Sequence, residues 1–133
     1  VKFLLDTDTF SAIAARRSLA AIEHLIKQPK GDVAISWISL GEVAFGIARH
    51  RPATRTLKGI ESLRRGLVVA ELDETVAEHY AKLRAALEAK GKPIGPSDSW
   101  IAAHALARRL TLVTGNEREF RRVPGLKVEN WMA

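Results

Sequence analysis

The sequence predicts an α/β fold: one domain on a short parallel sheet of four or five strands, flanked by helices on both faces. Three observations lead there. Apolar runs of strand length recur as "FLL", "VAIS", "LVVA" and "TLVT". Their near-continuous apolar character suits strands buried on both faces. The segments between them space their apolar residues three and four apart, the period of a helix with one buried stripe. The 133 residues, 47% of them apolar, suit a single core.

Taken in order, "KFLLD" opens as a buried strand followed by a polar turn. Residues 10–28 have helical composition, with "RRS" at 16–18 as a break, and "PKGD" at 29–32 is a turn. "VAIS" at 33–36 is the second strand. A helix over 39–50, capped by Ser39, carries Leu40, Val43, Ala44 and Ile47 on one stripe. Residues 54–65 repeat that pattern through Leu57, Ile60 and Leu63. "LVVA" at 67–70 is the third strand. Asp73 caps the longest helix, 74–89, with Val76, Tyr80, Leu83 and Leu87 on one face. "GKPIGP" at 91–96 is a loop of helix breakers. "SDSWIAAHALARRL" at 97–110 is an alanine-rich helix, "TLVT" the fourth strand, and 126–131 a fifth.

Composition removes several classes. With no cysteine there is neither a disulfide framework nor a zinc–thiolate site. No apolar run reaches the roughly 18 residues of a membrane helix, and no secretory leader shows, so a cytoplasmic protein is expected. The net charge of +6 favours a polyanionic partner. Six cations (49, 51, 55, 58, 64, 65) and one acid fall between Arg49 and Arg65, whereas four acids and no base fall between Glu71 and Glu78. The basic stretch reads either as solvated helix surface or as a flank that steers a phosphate backbone. Arg49, Arg51 and Arg55 are its candidate RNA contacts.

In parallel α/β sheets, ligands bind beyond the carboxyl ends of the strands, where strand order reverses. The polar residues there are Asp6-Thr7-Asp8, Ser36 and Thr114-Gly115-Asn116. Asp6 reads equally as a helix cap, worth about 1 kcal/mol, and as a site carboxylate. Asp8 reads as the cap of a helix from Thr9. Asp98 reads as an N-cap, alternatively Ser97, or as an acid facing the strand-end crevice from a helix whose Ile101, Ala102 and Ala105 pack closely on the sheet. Glu42 lies opposite Leu40, Val43 and Ile47, the position of a solvated residue. Asn116, Glu117 and Glu119 read as a polar turn. His104, set among alanines, reads as a packed, hydrogen-bonded histidine. Histidines 24, 50, 79 and 104 lack metal-ligand spacing. Trp37, Trp100 and Trp131 suit packing better than base stacking.

"LLDTDTF" resembles the first motif of the haloacid dehalogenase superfamily, but Phe10 departs from the motif's final position and "LVTGNER" lacks the later acidic pair. A second resemblance spans nearly the whole chain. Through "FLLDTDTF", "GDVAISWISLGEVAFGIARH" and "LRAALEAKGKPIGPSDSWIAAHALARRLTLVTGNEREFRRVPGLKVENW", in that order, it resembles PIN-domain ribonucleases, and among them the VapC toxins of type II toxin–antitoxin pairs.

That resemblance implies one PIN domain over residues 1–133. It places the catalytic acids at Asp6, Glu42 and Asp98, which would also hold Mg²⁺ or, in its place, Mn²⁺. The fourth position falls on Asn116, where many members carry Asp, and Glu119 is a nearby acid that completes the cluster. The implied activity is Mg²⁺-dependent endoribonuclease cleavage of a structured tRNA or rRNA loop. The implied partners are a VapB-type antitoxin, which covers the acidic site, and a second copy of the chain, in a homodimer and in a heterotetramer or larger assembly with the antitoxin. The alternatives are a PIN nuclease of RNA processing outside toxin–antitoxin systems and a non-catalytic RNA-binding PIN module. Acids crowded in apolar surroundings repel one another, so raised pKa values are expected, relieved by a divalent ion.

Overall fold

A computed structural model describes residues 1–133. Five parallel strands form one sheet in the order β3-β2-β1-β4-β5. They are β1 (Phe3–Leu5), β2 (Val33–Ser36), β3 (Val68–Ala70), β4 (Thr111–Val113) and β5 (Val128–Glu129). The helices are α1 (Thr7–Ala14), α2 (Leu19–Ile26), α3 (Trp37–Arg49), α4 (Thr54–Gly66), α5 (Glu74–Ala89), α6 (Pro96–Arg108) and α7 (Glu117–Phe120). No helix is long and apolar enough to cross a membrane.

The central strand β1 pairs Leu5 with Ile35 on one side and Val113 on the other. Successive strand residues point to opposite faces, so its two leucines divide the core. Leu4, Ala34 and Leu112 face α5 and α6, where Val76, Leu87, Ile101, Ala102 and Ala105 are buried. Leu5, Ile35 and Val113 face the other way, onto Phe10 and Ile13 of α1, Ala21 of α2, and Trp131. Helices therefore cover both faces, as predicted. The small residues of α6 let it lie close: Ala102, Ala103 and Ala105 are fully buried.

Several local expectations shift. α1 starts directly at Thr7, with no turn after β1. Its cap is Asp6, whose Oδ1 accepts from Thr9 N at 2.8 Å. Asp8 is therefore an exposed first-turn residue and not a cap. α3 starts two residues earlier than predicted: β2 runs straight into it, and Ser36, not Ser39, caps it by accepting from Ile38 N at 3.0 Å. Both serines suit a cap; the strand's end decides between them, and Ser39 is buried inside the helix. α6 begins at Pro96, with Gly95 in the cap position and no side-chain cap. Neither Ser97 nor Asp98 caps it. The break at 16–18 stands, with Arg16 in the left-handed region at φ 57°. The four-residue α7 occupies the predicted polar turn. Trp131 lies edge-on to Phe3 and stacked on His24, and Trp100 stacks on Tyr80, whereas Trp37 stays partly exposed beneath Arg64.

α1 and α4 cross at Gly59, where an added Cβ would run into the carbonyl oxygen of Ala14. Gly59→Ala is expected to force the helices apart and to destabilise the fold by about 1–3 kcal/mol. The urea midpoint of the variant measures it.

Candidate active site

The strand order reverses at β1, which lies between β2 and β4, so the crevice beyond the carboxyl ends of β1 and β4 is the switch point. Asp6 follows β1 there and Thr114 follows β4. Thr114 Oγ1 donates to Asp6 Oδ2 at 2.5 Å, joining the two strand ends. Asp6 is 4% exposed. It caps α1 and also stands at the crevice, because Oδ1 is taken by Thr9 N while Oδ2 faces Thr114. Burial pushes its pKa up, against the lowering effect of these hydrogen bonds.

Three further acids meet this crevice. Asp98, in the first turn of α6, is half-buried, and its side chain is free of capping duty. Its pKa is pushed up to about 7, first by burial, then by the charge of Glu119 and a hydrogen bond with it, then by Glu42 and Asp6. Glu119, Glu42 and Asp6 thus all lie within electrostatic reach of Asp98. Glu42 is half-buried and not on an open surface: Thr7 Oγ1 donates to its Oε1 at 2.5 Å and lies 3.0 Å from Ser39 Oγ. Asn116 stands at the start of α7 without capping it. Its Nδ2 donates to Glu119 Oε2 at 2.5 Å, and its backbone N–H donates to Thr114 Oγ1 at 2.9 Å.

The strand-end rule pointed to Thr7 and Thr114, but their roles as clamps on Glu42 and Asp6 need the tertiary structure. A third support is His104. Its Nε2 lies 2.9 Å from the Glu71 carbonyl, which only accepts, so Nε2 carries the hydrogen. Burial lowers its pKa and keeps the ring neutral, and Nδ1 then accepts from Ser36 Oγ at 2.9 Å. This packed histidine ties α6, which carries Asp98, to the strand end from which α3 carries Glu42.

No three carboxylates close into a tight ligand group; they line an open crevice. Their chemistry fits a hard divalent ion: all the donors are oxygens, and Asp98 carries the charge repulsion that a dication relieves. Asp6 and Asp98 are the leading ligand candidates, with Glu42 and Glu119 beside them.

The basic candidates lie elsewhere. Arg49 sits over the Phe45 ring, 5.8 Å from its centroid, at the end of α3, and Arg51 is exposed in the α3–α4 connection. Arg55 lines a cleft of about 760 Å³ between α1, α2 and α4, with Arg16 and Lys58, and none of the four acids lines it.

The sequence matches the PIN domain family over residues 3–126. The chain belongs to that family. Among PIN proteins it is 35% identical over 131 residues, 98% of each chain, to the tRNA(fMet)-specific endonuclease VapC of Shigella flexneri. It is 33% identical, over 99% of each chain, to ribonuclease VapC2 of Haemophilus influenzae. The fold matches that of VapBC from Salmonella typhimurium, solved bound to DNA, with a TM-score of 0.89 at 36% identity and 98% coverage of both chains. These full-length matches place this PIN domain with the VapC ribonucleases.

The raised pKa of Asp98 has a signed consequence. Between the ordinary 3.8 and about 7, the folded protein holds a proton that the unfolded chain has released, so metal-free stability falls as pH rises through that window. Asp98→Asn is expected to flatten this slope and to raise the melting temperature at pH 7.5. Melting curves of both proteins in chelator at pH 5 and pH 7.5 measure it.

Proposed function

We propose that this chain is a Mg²⁺-dependent endoribonuclease toxin, with Mn²⁺ able to substitute, held in check by a VapB-type antitoxin. The observation that carries the reading is the meeting of Asp6, Glu42, Asp98 and Glu119 at the β1–β4 switch point, with Asp98 pushed up to about 7 by burial and by its neighbours. A bound divalent ion supplies charge neutralisation at the phosphate and lowers the pKa of a water nucleophile.

The chain's own residues do the rest. Asp6, fixed by Thr9 N and Thr114 Oγ1, is the rigid arm. Thr7 orients Glu42 from α1, and Asn116 orients Glu119. Asn116 is neutral where an aspartate would add a further charge, so Glu119 serves as the fourth acid. Asp98, pushed up by burial and by the charge of Glu119, holds the proton nearest neutrality. The substrate is RNA with an accessible loop, whose unstacked strand presents its backbone; a structured tRNA or rRNA loop supplies one. The name of the Shigella relative, an endonuclease specific for tRNA(fMet), supports a tRNA. The solved VapBC complexes of Salmonella typhimurium and Rickettsia felis support the antitoxin partner.

Purified protein is expected to cleave tRNA in Mg²⁺ and to stop when the ion is chelated. Asp6→Asn and Asp98→Asn are each expected to lower the cleavage rate by roughly 100-fold or more, since several kcal/mol of charge stabilisation is at stake. Full metal-dependent activity in either variant would refute the assignment. Growth arrest on expression, relieved by a co-expressed neighbouring gene, tests the toxin role.

The supporting threonines have a separate signature. Thr114→Val and Thr7→Val are expected to weaken apparent Mg²⁺ affinity about 10-fold, the range for residues that orient ligands. Titration of cleavage rate against Mg²⁺ reads this, and saturating metal should restore most of the rate.

A further inference from the structure

A second, smaller groove joins the acidic crevice. It has a volume of about 340 Å³ and runs between α1, α3 and α4. Thr7 and Glu42 line it, so it is continuous with the site, and Ser11, Gly46, Arg17 and His50 line it further on. Glu42 and His50 are a little over two helical turns apart along α3, about 12 Å. One end of the groove is thus a site acid; elsewhere its lining carries Arg17, its one permanent cation, and the His50 ring. Hydroxyls of Thr7 and Ser11 lie along the groove.

We infer that this groove seats the single-stranded RNA flanking the cleaved bond, with Arg17 receiving a backbone phosphate and His50 a base or sugar. The inference rests on the nuclease reading above and adds the path of the strand. Charge favours RNA as the occupant: a polyanion whose reacting phosphate lies among the acids gains from a cation farther along its backbone. The larger cleft beside Arg55 has a more basic rim but touches none of the four acids. Gly46 lines the groove, and a Cβ added there would start in open space, with nothing within 4 Å. A leucine at this lining position is the obstruction to test, since its first atom meets no neighbour. In a helix interior, leucine is also a better residue than glycine.

That gives a test in which obstruction and misfolding move in opposite directions. Gly46→Leu and Arg17→Ala are compared with wild type on a trinucleotide and on a longer single strand containing the same cleavage site. For the longer strand, KM is expected to rise roughly 10-fold, the scale of one lost stacking or phosphate contact. The effect should be confined to that strand, and the melting temperature of Gly46→Leu should not fall. An unchanged KM, or an equal loss of kcat on both substrates, overturns the inference. So does a loss of antitoxin affinity with the RNA KM intact, which would give the groove to the protein partner. If wild type cleaves no RNA in Mg²⁺, the nuclease reading itself has failed. Fluorescence anisotropy of a non-cleavable single strand then decides the groove alone: equal affinity for wild type and both variants overturns it.

Discussion

The hydrogen bond between Thr114 Oγ1 and Asp6 Oδ2 sits where the sheet reverses its strand order, and the site is arranged around it. A carboxylate buried in an apolar core is costly unless its oxygens are satisfied. Asp6 meets that condition from two directions, through the backbone of α1 and the hydroxyl that follows β4. This arrangement fixes the start of α1 relative to β4 and holds one acid rigidly at the mouth of the crevice. Burial still wins over the hydrogen bonds in setting the direction of its pKa. The group is therefore kept in place at an electrostatic penalty, as functional carboxylates often are.

The other acids arrive on separate elements, and each has its own support. Glu42 comes on α3, held by Thr7. Asp98 comes on α6, whose alanines press it onto the sheet. Glu119 comes on α7 and is held by Asn116. The His104 bridge between Ser36 and the Glu71 carbonyl ties the helix bearing Asp98 to the strand end that launches α3. Charge elsewhere is arranged differently. Of the six cations between Arg49 and Arg65, only Arg65 is ion-paired, to Glu61. The others remain available to a polyanion, while the surface pairs Arg84–Glu88 and Arg121–Glu117 are local i,i+4 contacts that contribute little.

Much of this was legible in the order of the residues. Apolar runs of three or four residues between helical-period segments are enough to predict a parallel sheet, because strands buried on both faces leave no polar alternation. The rule that ligands gather at strand ends selects Asp6, Ser36 and Thr114 before any coordinate is known. Helical periodicity misplaced Glu42, since a wheel counts only the residues of its own helix and cannot register Thr7 from another. Capping rules misassigned Ser39 and Asp8 for a related reason: two good caps lie close together, and the end of the preceding strand chooses between them.

The sequence by itself determined the layering, the break between α1 and α2, the acidic strand ends and the family. These follow from local period, local chemistry and motifs in order. Only the tertiary structure decided that the capping Asp6 also meets Thr114, that Thr7 holds Glu42, and that a groove runs beside Glu42 between α1, α3 and α4. These depend on atoms far apart in sequence, such as Thr114 and Asp6, 108 residues apart. Hydrogen-bond partnership at that range is set by how the helices close over the sheet, and no local pattern encodes it.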